Sequence, residues 1–315
     1  MVEAVVCIPS YRRPEGLRRT LASLAGQRTG VSFAVTVIDN DAAGREAIAV
    51  AEAFFRETGI AGRAEAERKQ GHCHAVNAAY AGSMGWFPDA EFFLMIDDDE
   101  TATPGWLEAI VAAARRFEAD IVGGPVHRDF DRKIDPAMAT HQLFGSIDAA
   151  SGPIATIHGS GNCLVRRRVL EAFEPPYYDP AFNFLGGGDM DFFTRCRERG
   201  FRFAWSGEAE IIEHVTTDRL TPRWLMTRSA RTGTINYLID RKRARGFAGR
   251  LAVEAKNAAS LGLSVFRAAG ILARTRSPLQ ASHPFLMSCG RIMGSLGRIQ
   301  APYKDTGKDT GATAP

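Results

Sequence analysis

Cysteine is scarce and unpatterned in this 315-residue chain. The five thiols, Cys7, Cys73, Cys163, Cys196 and Cys289, make neither a CxxC pair nor the spacing of a small disulfide framework. A disulfide-stapled secreted scaffold is therefore set aside, and a reducing compartment fits. Long apolar runs are missing as well. The best candidate, residues 257–266, is stopped by Lys256 and Arg267, short of the roughly 20 residues a spanning helix needs. The apolar run at residues 4–9 has no basic lead-in and reads as a first strand, not a signal peptide. No G-x-G-x-x-G follows that strand, so the dinucleotide fingerprint is absent. Acidic residues are nearly missing from residues 216–300, where 3 Asp/Glu stand against 15 Lys/Arg, whereas residues 1–215 hold 31 against 22. Such a lopsided charge suggests that the C-terminal part faces something anionic. Neither aromatic interleaving nor a nucleic-acid motif occurs there, which favours a membrane surface over nucleic acid.

What is present is an alternating α/β pattern. Apolar strand-like segments at residues 2–8, 33–39, 62–67, 91–97 and 120–126 alternate with helical periodicity at 16–25, 45–58, 73–84 and 106–117. Alternation of this kind predicts a mostly parallel sheet flanked by helices. Residues 127–160 read as long loops, and 161–168 as a strand running into a helix. A helix is expected at 189–200, closed by Gly200, followed by short strands at 201–205 and 208–213. From Thr221 the pattern turns long, basic and helical. Residues 301–315 carry a small Lys-Asp-Thr-Gly doublet and are expected to be disordered. The length prior is about two domains, and the shift in pattern and charge divides the chain into an α/β unit at 1–215, a basic helical extension at 216–300 and a tail at 301–315.

The strongest chemical signal is Asp97-Asp98-Asp99 at the end of a buried-looking strand. In open α/β sheets ligands bind outside the carboxyl ends of the strands. Carboxylates held this closely repel one another unless a cation lies among them, and Mg²⁺ or Mn²⁺ prefers such oxygens and bridges them to phosphate. The plainer alternative is a solvated acidic turn.

With these pieces in order, the chain resembles a family 2 glycosyltransferase of the GT-A fold over residues 2–215. The resemblance rests on Val5-Val-Cys-Ile-Pro-Ser-Tyr-Arg-Arg-Pro14, Val35-Thr-Val-Ile-Asp-Asn40, the stretch from Gly71 to Asn77, the DxD-like triplet, Gly186-Gly-Gly-Asp-Met-Asp191 followed by Arg195, and His214. It implies an inverting transferase that uses a nucleotide sugar, with UDP as the expected carrier, and a divalent cation. Asp97, Asp99 and His214 are the implied metal ligands. Pro9, Tyr11, Arg13, Asp39, Asn77, Asp97 and Asp98 are the implied donor-binding residues. Gly161, Asn162, Gly187 and Gly188 are placed on the acceptor side. Asp189 is the implied catalytic base and Asp191 its competitor. One departure is that Gly188 stands where the family often has Glu.

Several of these residues have ordinary structural alternatives. Asp189 suits a helix N-cap. Asp39 suits an Asx-turn continued by Asn40 and Asp41. Asn77 suits a cap or surface site, and His214 a packed or solvated one. Arg228 and Arg231 share a helix face and suit either a diphosphate or lipid headgroups. Gly71-His72-Cys73-His74 is a poor zinc site, because no second Cys/His pair lies at suitable spacing.

The expected activity is sugar transfer to a saccharide or lipid-linked saccharide, in exopolysaccharide or cell-envelope glycan synthesis, on the inner, cytoplasmic face of a bacterial membrane. Two competing classes are a non-catalytic nucleotide-sugar-binding subunit of an assembly complex and a nucleotidyltransferase. The second would want a glycine-rich loop with Arg and Lys after the first strand, where this chain has Pro-Ser-Tyr-Arg-Arg.

Overall fold

The computed structural model describes residues 1–298 except Asp131 and Asp148, so the expected disordered tail at 301–315 lies outside the described residues. Eight strands form the main sheet: β1 (Ala4–Ser10), β2 (Phe33–Asp39), β3 (Gly62–Ala66), β4 (Phe92–Met95), β6 (Ile121–Gly123), β8 (Gly152–Ile154), β9 (Cys163–Arg166) and β10 (Phe203–Trp205). Their order is β3-β2-β1-β4-β9-β6-β10-β8. β1, β2, β3 and β4 run parallel, β9 is antiparallel to both β4 and β6, and β8 is antiparallel to β10.

Alternation along the strands sends side chains to two separate cores. Ala4, Val6 and Ile8 of β1, with Phe92 and Leu94 of β4, pack against α1 (Pro14–Ala25), α2 (Glu46–Thr58) and α4 (Trp106–Arg116). Val5 and Cys7, with Phe93 and Met95, pack on the other face against α3 (His72–Trp86), α6 (Arg167–Glu171) and α7 (Gly188–Glu198). Because both faces are covered, these strands read as continuous apolar runs instead of alternating ones.

The expected strand at 120–126 is two strands. β6 ends at Gly123, and Pro125, which has no N–H to give a ladder, starts a change of sheet. A Cβ on Gly124 would lie 2.3 Å from the Ala209 carbonyl oxygen. The chain then enters a three-stranded sheet, β5 (Glu100–Ala102), β11 (Ile211–Val215) and β7 (Val126–Phe130), in the order β5-β11-β7. The segment expected to be all loop thus contributes β7, the short helix α5 (Pro136–Ala139) and β8.

Three long helices close the chain: α8 (Pro222–Arg243), α9 (Gly246–Thr275) and α10 (Pro278–Ser295). Thr221 caps α8 by accepting from the Trp224 amide. Ile235 and Ile239 of α8 are buried in the same core as α3 and α7. Packing is therefore continuous across residue 216, where composition marks a domain boundary. α8 and α10 touch backbone to backbone: a Cβ on Gly290 would lie 1.7 Å from the Ala230 carbonyl oxygen, and one on Gly233 1.8 Å from that of Met287.

Candidate active site

The strand order reverses between β1 and β4, with β2 and β3 on one side and the remaining strands on the other. The carboxyl ends of the strands at this switch point are where an open α/β sheet binds ligand. Register sets Ser10 opposite Asp39 and Cys7 opposite Met95, so the segments after β1 and β4 emerge side by side. One segment carries Ser10, Tyr11 and Arg13, and the other carries Asp97, Asp98 and Asp99.

Contacts join the two. Asp98 accepts from Ser10 Oγ at 2.8 Å, from the Tyr11 amide at 3.3 Å and from Arg13 at 3.3 Å. Asp99 pairs with Arg13 at 2.6 Å and with Arg219 at 3.4 Å. Helix α1 is pinned to the same loop. Gly16 is needed there, because a Cβ would lie 2.3 Å from the Asp98 carbonyl oxygen, and Thr20 Oγ1 donates to the Glu100 carbonyl at 2.6 Å. Proline at the first helical position starts α1 without a side-chain cap.

The small sheet adds more charge. Glu213 of β11 lies directly opposite Glu100 of β5 and is balanced by Arg128 at 2.7 Å and Arg219 at 2.8 Å. Glu100 is buried and accepts from the Asp97 amide at 2.8 Å. Burial, with Asp97 and Glu213 nearby, pushes its carboxyl well above the usual range. Asp97 is pushed up to about 8 by desolvation, then by Asp99, Asp98 and Glu213. Asp98 is also raised, burial outweighing Arg13 and Ser10.

This donor set fits a divalent cation. Five carboxylates (Asp97, Asp98, Asp99, Glu100, Glu213) meet three guanidinium groups (Arg13, Arg128, Arg219). The guanidinium groups pair with Asp98, Asp99 and Glu213, which leaves Asp97 and Glu100 to hold their protons near neutral pH until a cation displaces them. Among the described residues no three His, Cys, Asp or Glu side chains converge on one point. The fit is thus to one or two carboxylates completed by substrate oxygens, a mode Mg²⁺ commonly uses. His214 does not join Asp97 and Asp99 as a third ligand here. Its backbone amide donates to the Asp99 carbonyl at 2.9 Å, but its ring pairs with Thr101 Oγ1 at 3.3 Å and Asp129 at 3.2 Å.

The other wall is the start of α7. Gly186 and Gly187 have φ of +87° and +91°, a region that favours glycine. Gly187 is the N-cap position, so Asp189 is the second residue of the helix and not its cap. A Cβ on Gly187 would lie 2.3 Å from Ile235 Cγ2, and one on Gly188 2.8 Å from Cys73 Sγ. The glycines therefore let α7 sit against α8 and α3. Asp189 is half-buried, and its Oδ1 accepts from the Met190 amide. His72 lies within electrostatic reach of both Asp189 and Asp99, and Cys163 of both Asp189 and Asp97. Asp191 differs: it is 2 % exposed and held by Arg195 at 2.9 Å and by Lys242 of α8 at 2.9 Å. Lys242 also reaches Asp179 at 2.7 Å.

Three further expected site residues are committed to the framework. Asn162 is buried, accepts from Trp106 Nε1 and donates to the Pro125 and Ala209 carbonyls, so its amide is used inside the fold and not on an acceptor. Asn77 binds both the N–H and the C=O of Tyr178. Asp39 accepts from the amides of Asp41, Ala47 and Ile48, closing the turn and the start of α2. That leaves about one acceptor direction of its four for a ligand. Gly161 borders the acidic cluster, where a Cβ would lie 2.4 Å from Glu100 Oε1. Pro9 is a buried strand residue of β1. Tyr11 Oη accepts from Gln70 Nε2 at 2.9 Å, and Arg12 stacks on its ring at 5.0 Å.

Four charged groups of the site were not singled out in the sequence: Glu100, Arg128, Glu213 and Arg219. Glu100 and Glu213 adjoin residues that were. Asn40 was quoted only as turn chemistry. It ties the 67–71 loop by donating to the Glu67 and Lys69 carbonyls and accepting from the Gly71 amide.

Comparison with known proteins places the chain in a class. Residues 5–173 match the family model described as glycosyl transferase family 2, and the chain belongs to that family. The individual relatives are more distant. Succinoglycan biosynthesis protein ExoM of Rhizobium meliloti (strain 1021) is 30% identical over 254 residues, covering 78% of this chain and 77% of ExoM. The crystal structure of S. aureus TarS 1–349 in complex with UDP matches with a TM-score of 0.50 at 16% identity, over 94% of this chain and 92% of that one. A longer TarS structure matches with a TM-score of 0.51 at 14% identity, over 95% of this chain and 55% of that one. The TarS likeness is one of fold. Together with the family match it identifies the mixed sheet as the GT-A architecture.

Proposed function

We propose that this protein is an inverting, divalent-cation-dependent glycosyltransferase. Its donor is a UDP-sugar and its acceptor a saccharide or lipid-linked saccharide of a bacterial exopolysaccharide or cell-envelope glycan. One observation carries the reading: the acidic triplet follows β4 at the switch point of the sheet, and Asp99 of that triplet and the half-buried Asp189 both act electrostatically on His72. ExoM is named for succinoglycan biosynthesis and TarS was crystallised with UDP, which supports the choice of acceptor class and carrier.

In this reading Asp97 and Asp99 would hold the cation. The bound cation supplies Lewis-acid stabilisation of the charge on the departing nucleotide. Arg13 and Arg219, paired with Asp99, offset the repulsion within the acidic cluster and are the cations that would meet the donor phosphates. The acceptor hydroxyl is a weak nucleophile at neutral pH and must lose its proton as it attacks. Asp189 takes that proton. Asp191 is unsuited, because Arg195 and Lys242 hold its carboxylate. Attack opposite the leaving group with one base inverts the anomeric centre, whereas retention by double displacement needs a second carboxylate as nucleophile. Work at the inner face of the membrane goes with a lipid-linked acceptor.

A panel of nucleotide sugars tests this reading. With Mn²⁺ present, one UDP-sugar should raise the melting temperature by mass action and be slowly hydrolysed. If no nucleotide sugar binds with or without cation, the reading fails.

A further inference from the structure

Among the described residues, the longest helix leaves most of its surface bare. Only Val253, Asn257 and Ser264 of the 30-residue α9 are buried, and they mark one narrow stripe facing α8 and α10. The opposite side carries Phe247, Leu251, Leu263, Val265, Phe266 and Leu272, each exposed, with Phe247 at 81% and Phe266 at 77%. Alanine and glycine fill the positions between them. At 3.6 residues per turn this makes one largely apolar face about 38 Å long, with Glu254 at its edge in line with Leu272. Soluble proteins rarely leave an apolar patch of that extent without a partner.

Charge says which partner. Arg267 and Arg274 lie two turns apart on one flank of the face and Arg250 on the other, while Lys256, in line with the first two, pairs with Asp240 of α8 at 2.8 Å. Arg276 follows at the C-terminal end. The one carboxylate of the helix, Glu254, is turned to Tyr237 Oη and Asn257 Nδ2. An apolar face with a cationic border complements an anionic lipid surface, where the rings sink to the acyl boundary and the cations stay at the headgroups. A second copy of the chain would instead bring a like-charged border against this one. Among the described residues no helix is long and apolar enough to cross a membrane.

We infer that α9 lies in the plane of an anionic bilayer, its Phe247–Leu272 face inserted at the headgroup boundary, and that this helix is the element holding the transferase on the membrane. The inference deepens the membrane-side part of the proposed function. Its test needs no transfer, so the two fail separately. Full-length protein is floated with vesicles of phosphatidylcholine, with or without 30% phosphatidylglycerol (roughly the anionic share that makes such surfaces attractive). Binding should require the anionic lipid. Phe247→Glu with Phe266→Glu should lower the bound fraction at least tenfold, and Arg267→Glu with Arg274→Glu should lower it and remove its salt dependence. Both variants change exposed residues, so their thermal unfolding and nucleotide-dependent stabilisation should match the parent. The inference is overturned if the parent ignores anionic vesicles, if the variants bind as well as the parent, or if the phenylalanine pair instead abolishes a concentration-dependent self-association seen by sedimentation.

Discussion

Replacing Gly187 by alanine tests whether α8 belongs to the machinery that positions Asp189. The substitution meets two obstacles. A φ of +91° costs a side chain about 1–2 kcal/mol. The new methyl would also lie 2.3 Å from Ile235 Cγ2, a contact no real pair of carbons makes, and Ile235 is 2% exposed. Overpacking of that kind adds about 1–3 kcal/mol. The total is about 2–5 kcal/mol, enough to lower the melting temperature by roughly 3–8 °C. The steric share can be isolated with Ile235→Ala, which alone should cost about 2–5 kcal/mol by leaving a cavity. In the double variant the methyl has room, so the two losses should fall short of additivity by about 1–3 kcal/mol. Chemical denaturation of the four proteins of the cycle gives the coupling. Transfer should fall more than donor affinity in Gly187→Ala, because the base moves while the nucleotide loop does not. Strict additivity, or a Gly187→Ala protein within about 0.5 kcal/mol of the parent, would refute the packing argument.

Three more outcomes are expected. His283 is pushed down to about 4 by burial and by His141, whose ring lies 5.3 Å away and which is itself lowered by burial; Ser229 is its other polar neighbour. The unfolded chain binds this proton near pH 6.5, so stability should be complete above that pH and fall by about 3 kcal/mol as pH drops towards 4, a loss that His283→Asn should remove from the urea midpoints. Asn162→Ala strands the Trp106 indole N–H and two carbonyls and should cost about 2–4 kcal/mol by denaturation while leaving donor affinity unchanged. Arg13→Met removes a cation from Asp98 and Asp99, so calorimetry should show a larger loss of melting temperature in chelator than in Mn²⁺; equal losses would count against a cation beside Asp99.

Much of this could be read along the chain, for physical reasons. β2 falls at Phe33–Asp39 as expected, because a fully buried parallel strand is a continuous apolar run bounded by turn residues. The place of the acidic triplet was legible because an apolar run that stops at three carboxylates marks the end of a buried strand. Gly187 and Gly188 stood out as a run before Asp189, but the neighbours that require them, Ile235 and Cys73, could not be read from it. Long-range pairing was hidden. Arg219 meets Asp99 and Lys242 meets Asp191 only after the helices fold back, and no local pattern encodes that. Asn162, Asn77 and Asp39 misled in a consistent way: a polar residue beside a strand end suggests a ligand, yet each satisfies buried backbone groups. α9 was legible in part. The excess of Lys and Arg over 216–300 marked this part of the chain as facing something anionic, but only the packing shows which helix carries an apolar face with no neighbour among the described residues.

The central claim is that Asp189 is the base of a transfer reaction supported by the Asp97–Asp99 cluster. Its most direct measurement compares the parent with Asp189→Asn in Mn²⁺, recording donor affinity by calorimetry and sugar transfer in parallel. Unchanged donor affinity with transfer reduced by roughly a hundredfold or more is the expected result. Transfer close to that of the parent would contradict the claim.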